Sequence, residues 1–172
     1  MGRLHHRTAL GCTYFVTTKA ARNIALFQVH EIAEIVIAKL LHYRMAGAYR
    51  LHEFVLMPNH LHVLLTPTGA TSLEKAMQLI KGGSSHESHQ KRGSRMEIWQ
   101  AGFHEATIRE TADYFSRVRY IHVNPVAVGF VDRAEEWRSG SAGGQFTLDP
   151  IPQGLKPKES QALNVGAKAP TP

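Results

Sequence analysis

The run from Tyr49 to Pro67, YRLHEFVLMPNHLHVLLTP, limits what this chain can become more than any other stretch. Two segments dense in aliphatic residues meet at Pro58-Asn59, a pair suited to a tight turn because Asn tolerates the left-handed backbone position. The expected outcome is a hairpin with strands over 49–57 and 60–67. Side chains alternate along a strand, so Leu61, Val63 and Leu65 belong to a core while His60, His62 and Leu64 share the other face. A strand that could be wholly apolar thus carries two imidazoles on one side. A hairpin with one wet face would explain them, and so would a metal site.

The flanking segments set the fold class. TYFVTTKA (13–20) is rich in β-branched and aromatic residues and predicts a first strand. Over 27–45 the period lengthens: Val29, Ile32, Val36 and Leu40 form one helical stripe, and Gly47 is a suitable stop. After the hairpin, TSLEKAMQLIKGG predicts a second helix. Thr71 and Glu74 have capping-box spacing, Leu73, Ala76, Met77 and Ile80 make the buried face, and Gly82-Gly83 end it. Residues 84–95, SSHESHQKRGSR, show no apolar period and read as a basic loop. EIWQAGFHEATIR (97–109) is expected as a fourth strand with Trp99 and Phe103 inward. TADYFSRVRYIHVNP (111–125) is a last helix, ending at or before Asn124 because Pro125 disfavours the α conformation there. The order β-α-β-β-α-β with an added C-terminal helix is that of an α+β, ferredoxin-like domain built on a four-stranded antiparallel sheet. Beyond about residue 147, Pro, Gly, Lys and Ala dominate. The domain is therefore bounded at 1–147, and 148–172 is expected to be a disordered tail.

That fold hosts many functions, so charge and chemistry must narrow them. The 172 residues carry 20 Lys+Arg against 14 Asp+Glu, with 11 His in addition. The resulting pI near 9.7 favours polyanionic partners, nucleic acid first. The single cysteine, Cys12, excludes an internal disulfide framework and fits a reducing compartment. No apolar run reaches the length of a membrane span, and the N-terminal stretch lacks the apolar region of a secretory signal. The expectation is a cytoplasmic, nucleoid-associated protein without a membrane partner.

Two imidazoles about 7 Å apart along a strand can converge on one divalent ion. With 11 histidines in the chain, an HxH pair alone is weak evidence. The last helix adds a second element. Tyr120 and Asn124 are four residues apart and so share a face, which Arg117 and Asp113 extend, while Tyr114, Val118 and Ile121 form the stripe to be buried. Tyr114, the competing aromatic, has no amide partner at i+4. Two imidazoles and one amide oxygen would give Mg²⁺ or Mn²⁺ three protein ligands and leave places for phosphate oxygens; Zn²⁺ is also compatible with the histidines. A tyrosine one helical turn from the third ligand would lie close to a metal-polarised phosphate. Its phenol, with an ordinary pKa of about 10, needs nearby positive charge to act as a nucleophile.

MPNHLHVLL followed by RYIHVNPVAVGFV resembles the REP-associated tyrosine transposases, relatives of the single-tyrosine IS200/IS605 transposases of the HUH superfamily. YFVTT is similar to the family's first strand, IWQAGFHEATIR to its aromatic-rich fourth strand, and EEWRSGSAGG to a downstream Trp-Ser-Ser segment that Gly140 interrupts here. The resemblance implies that His60 and His62 are metal ligands, Asn124 the third ligand and Tyr120 the nucleophile. It implies cleavage of single-stranded DNA beside an imperfect-palindrome hairpin, leaving a 5′-phosphotyrosine and a free 3′-hydroxyl, followed by strand transfer without ATP. The chain departs from many relatives at His104-Glu105-Ala106, where they have Asp-His, and at Ala127 and Val128, where they carry a basic residue. IS200-type relatives share active sites between two subunits, whereas the REP-associated group can complete a site in one chain. A helix as short as 111–125 can dock on its own sheet, which favours a monomer over a dimer.

Arg3 and Arg7, with His5 and His6, open the chain, and Lys91, Arg92 and Arg95 occupy the 84–95 segment. Such cations neutralise phosphates and make affinity fall with salt. The N-terminal arm is expected to read the hairpin foot and the 84–95 segment to grip its stem, with Arg117 a further DNA contact. The rival function is a non-catalytic ferredoxin-like module that binds RNA or DNA through its sheet. Against it, the open face offers histidines where base stacking would call for Phe or Tyr. A domesticated relative that binds hairpins without mobility is a third reading.

Overall fold

The computed structural model describes residues 11–155. Strand β1 (Thr13–Lys19) alternates as expected, so Tyr14 and Val16 enter one core while Phe15 enters another. Helix α1 (His30–Met45) follows two short 3-10 turns, and the hairpin strands β2 (Tyr49–Met57) and β3 (His60–Pro67) flank Pro58-Asn59. Then come α2 (Leu73–Arg92), β4 (His104–Ile108) and α3 (Thr111–Ala127). All pairings are antiparallel and the strand order is β2-β3-β1-β4, the ferredoxin-like arrangement expected from the element sequence.

The sheet separates two apolar layers. Leu61, Val63 and Leu65 pack with Ile32, Val36 and Leu40 of α1 and with Met77 and Ile80 of α2. On the other side Phe15, Val55, Met57 and Leu64 pack with Tyr114 and Ile121 of α3. A β-bulge between Leu51 and Glu53 shifts the β2 register. It lets Leu51 and Phe54 both enter the α1/α2 layer, while Glu53 meets His122 of α3.

Several elements differ from the sequence expectation. Helix α1 starts at His30, and Val29 is exposed at its N-cap instead of joining the buried stripe. Phe27 is buried and its N–H is held by the Pro58 carbonyl at 2.8 Å. The cap of α2 is Ser72, whose hydroxyl accepts from the Lys75 N–H at 3.1 Å, one residue after the expected Thr71. Gly82-Gly83 do not end α2, and the 84–95 segment is no loop: the helix runs to Arg92 and stops at Gly93 in the left-handed conformation. Ser84 and Ser88 continue the buried stripe, with Ser84 bonding back to the Ile80 carbonyl and accepting from the Trp99 indole N–H at 2.9 Å. Small buried serines preserve the helical period without apolar residues. Gly83 allows close helix packing, because a Cβ there would sit 2.6 Å from the Tyr43 hydroxyl of α1 and that ring would have to move.

The fourth strand is shorter than 97–109, since Gly102 takes a positive φ and only Trp99 makes an isolated bridge, to Ala20. Trp99 is nonetheless buried and Phe103 packs on the same layer, as expected. Helix α3 passes through Pro125 to Ala127. The proline ring is buried in the last turn, and the Phe130 and Gly129 N–H groups close the end on the Pro125 and Val126 carbonyls. The packed chain also extends past residue 147. Leu148 packs on the first core, Asp149 binds the Arg44 guanidinium (2.7 Å) and the Leu51 N–H (2.8 Å), and the Pro150 carbonyl meets His52. These contacts, with the Ser139 carbonyl on the Leu56 N–H, satisfy the outer edge of β2, which a Pro- and Gly-rich composition conceals.

Candidate active site

Strand register decides what surrounds the two histidines. His62 lies between Val55 of β2 and Thr17 of β1, and His60 between Met57 and Lys19. Directly opposed residues share a face, so this row looks toward α3. There the Tyr120 ring meets His62 edge-on at 5.1 Å between centroids and Phe15 at 5.8 Å. Phe15 stacks on His62 at 5.3 Å, and the Arg117 guanidinium lies over the Phe15 ring, 4.8 Å from its centroid. The rings of His60 and His62 are 4.6 Å apart. Tyr120 remains 47% exposed, so its hydroxyl is open to a substrate.

Hydrogen bonds orient both imidazoles. The Asn59 amide donates through Nδ2 to Asn23 Oδ1 at 3.2 Å, which turns its Oδ1 toward His60 Nδ1 at 2.7 Å. That oxygen can only accept, so His60 Nδ1 carries the proton and Nε2 keeps its lone pair. His62 Nδ1 bonds the Thr17 hydroxyl at 2.8 Å, again leaving Nε2. The Asn59 oxygen thus sets the tautomer a metal-binding imidazole needs at His60, while the Thr17 hydroxyl, which can donate or accept, orients the His62 ring. Charge state points the same way. Burial, then the neighbouring His60 and Arg117, push His62 down to about 3; burial, then Lys19, lower His60. Both rings are therefore neutral near pH 7.

A groove of about 630 Å³ opens beside His60, which lines it with Ser116, Arg119, Tyr120, Val123 and Asn124 among others. Among the described residues no third His, Cys, Asp or Glu joins the two histidines. The Asn124 amide shares the groove with His60, so an oxygen donor is available from α3. Two neutral imidazoles with free Nε2 atoms and a neighbouring amide suit a divalent cation of the Mg²⁺ or Mn²⁺ type with open positions.

His60, His62, Tyr120, Asn124 and Arg117 thus gather on one face. Lys91 and Arg92 do not: they sit on α2 beyond the opposite side of the sheet, with Lys91 paired to Glu87 (3.1 Å) and Arg92 to Glu31 (3.4 Å). Arg95 is exposed in the segment after α2, and Arg3 and Arg7 lie outside the described residues. Sequence reasoning missed Phe15, Thr17 and Asn59. Asn59 adjoins the HxH pair and could have been read as its orienting partner, whereas the first two join it only through strand pairing.

The family model described as "Transposase IS200 like" matches residues 12–124, a span that includes all of these site residues. The chain belongs to the IS200-like transposase family. Within that family it is 33% identical over 90 residues to the REP-associated tyrosine transposase of Escherichia coli (strain K12). The match takes in 52% of this chain and 52% of that relative, so about half of the relative's length is matched. The fold is similar, with a TM-score of 0.70 and 25% identity, to the structure of a REP-associated tyrosine transposase bound to a REP hairpin, covering 88% of this chain and 90% of that one. A putative transposase from Deinococcus radiodurans R1 shares the fold at a TM-score of 0.50 and 17% identity, over 70% of this chain and 94% of that one.

Proposed function

We infer that this IS200-like transposase is a metal-dependent single-stranded DNA endonuclease and strand transferase that acts at palindromic, REP-like hairpins through a 5′-phosphotyrosine. The observation that carries the reading is the 5.1 Å approach of the Tyr120 ring to His62, which brings α3 and the histidine strand of one chain to one spot. In this reading His60 and His62 Nε2 and the Asn124 amide oxygen hold Mg²⁺ or Mn²⁺. When bound, the cation supplies Lewis-acid polarisation of the scissile phosphate and fixes its position. The Tyr120 oxygen attacks phosphorus, forming an O–P bond as the P–O3′ bond breaks. The phenolic proton passes to solvent and the departing 3′-oxygen takes one from water. Because the new linkage is itself a phosphodiester, a second 3′-hydroxyl can reverse the step and join strands.

Arg117 supports phosphate binding at the site, and the exposed groove along α3 gives a single strand room to pass. Lys91, Arg92 and Arg95 are assigned to the hairpin stem, and since two of them are paired on the far layer their part is long-range and readily screened by salt. A site complete in one chain supports a monomer.

The test is incubation of the full chain with Mg²⁺ or Mn²⁺ and a labelled hairpin oligonucleotide carrying single-stranded flanks. A covalent adduct that requires metal, disappears in Tyr120→Phe and falls at least about 100-fold in His62→Ala with hairpin binding retained is expected. Tight hairpin binding without an adduct in either metal would identify a binding module instead.

A further inference from the structure

Lys19 ends β1 directly opposite His60, so both side chains leave the sheet on the same face. Its backbone is fixed from both sides: its carbonyl accepts from the Gln100 N–H at 2.9 Å, and the next residue's N–H donates to the Asn59 carbonyl at 2.8 Å. The side chain is exposed, and no carboxylate among the described residues forms an ion pair with it.

A lysine ammonium beside a site suited to a divalent cation is best accommodated when an anion lies between the two positive charges. Arg117 adds positive charge on the His62 side, so the two histidines are flanked by cations at both ends of the row. Glu53, the acidic residue of β2 nearest in register, is already engaged by His122 at 2.8 Å and by the Ser141 hydroxyl. Arg117 lies over the Phe15 ring at the His62 end, whereas Lys19 stands opposite His60 at the other end of the row. A flexible, exposed ammonium in that position is suited to a tetrahedral, doubly exposed oxygen pair such as that of a phosphodiester.

We propose that Lys19 is a further catalytic residue for strand cleavage, its ammonium binding a non-bridging oxygen of the scissile phosphate. The assignment rests on the reading of Tyr120 as nucleophile. As the Tyr120 O–P bond forms and the P–O3′ bond breaks, negative charge gathers on the non-bridging oxygens, and Lys19 offsets it. Lys19 keeps its protons throughout; the 3′-oxygen leaves with the bonding electron pair and is protonated by water.

The test compares wild type, Lys19→Ala and Lys19→Arg in single-turnover adduct formation on two hairpin oligonucleotides. One has the ordinary diester at the scissile position and the other a methylphosphonate, which lacks the non-bridging charge. On the diester, Lys19→Ala is expected to slow adduct formation about 100-fold, with Lys19→Arg restoring part of the rate. Hairpin affinity and thermal unfolding should change little. On the methylphosphonate the wild-type to Lys19→Ala ratio should collapse toward one, which a structural role would not produce. Equal loss on both substrates, or a loss explained by weaker hairpin binding, would overturn the assignment and make Lys19 a general surface cation. A wild-type adduct formed as fast by Lys19→Ala overturns the Lys19 role alone. No adduct with wild type overturns the tyrosine reading and this assignment with it.

Discussion

His60 and His62 each give Nδ1 to a protein partner, Asn59 and Thr17 respectively, and His60 lines the groove. The Asn59 partner is itself held by Asn23, a residue in the left-handed conformation at φ 55° that Asn tolerates better than most side chains. Removing an outer partner of this kind weakens metal binding by about 10–100-fold. Asn59→Ala should therefore lower Mn²⁺ affinity by that order in calorimetric titration, with little change in unfolding midpoint. Unchanged affinity would mean that His60 is oriented without the amide. The residues that gather here are largely legible in the sequence: alternation puts both histidines on one face, and spacing of four puts Tyr120 beside Asn124. Thr17 is not legible, because it is 45 residues from His62 and meets it only through a strand register that local pattern does not encode.

Helix α2 illustrates why an element's type can be read more easily than its length. Leu73, Ala76, Met77 and Ile80 announce it, but Ser84 and Ser88 carry the same stripe onward as polar residues. Two glycines then resemble a stop. In the folded chain they have different roles. A Cβ at Gly83 would press into Tyr43, while at Gly82 it meets nothing within 4 Å. Gly83→Ala should destabilise by about 1–3 kcal/mol through overpacking. Gly82→Ala should stabilise by about 0.4–1 kcal/mol, because Ala is less free in the unfolded chain. Urea denaturation of the two variants checks the opposite signs, and equal effects would contradict the helix–helix contact. Helix α3 shows the converse case. Pro125 marks the neighbourhood of its end, yet tight packing under the last turn carries the helix two residues further. The Glu53–His122 bond and the Ser141 hydroxyl tie α3 to β2, which keeps Tyr120 over its own histidines.

At the scale of the whole molecule, the ferredoxin-like order is legible because each element's period is local. The boundary at 147 is not, since Asp149 finds Arg44 across 105 residues and the Pro150 carbonyl fixes His52 across 98. His52 is 1% exposed. Its Nδ1–H donates to Pro150, and Nε2 accepts from Thr66, whose oxygen accepts in turn from Thr13. That network requires the neutral ring, and burial lowers the His52 pKa below 6.5. His60 and His62 are shifted in the same direction. The unfolded chain then binds more protons than the folded one as pH falls through about 6.5, so stability is retained above that value and lost below it. The metal-free protein should show a falling urea midpoint between pH 7.5 and 5.5, and His52→Gln should flatten the slope. A midpoint that rises on acidification would contradict the neutral histidines.

The central claim is that Tyr120, and not its neighbour Tyr114, is the nucleophile. Tyr114 is 3% exposed and burial raises its phenol to about 12, whereas Tyr120 stands open over His62. Mass-spectrometric mapping of the proteolysed protein–DNA adduct is the most direct measurement. The account predicts a single modified peptide with the 5′-phosphate on the Tyr120 oxygen. Attachment at Tyr114 or at any other residue would contradict it.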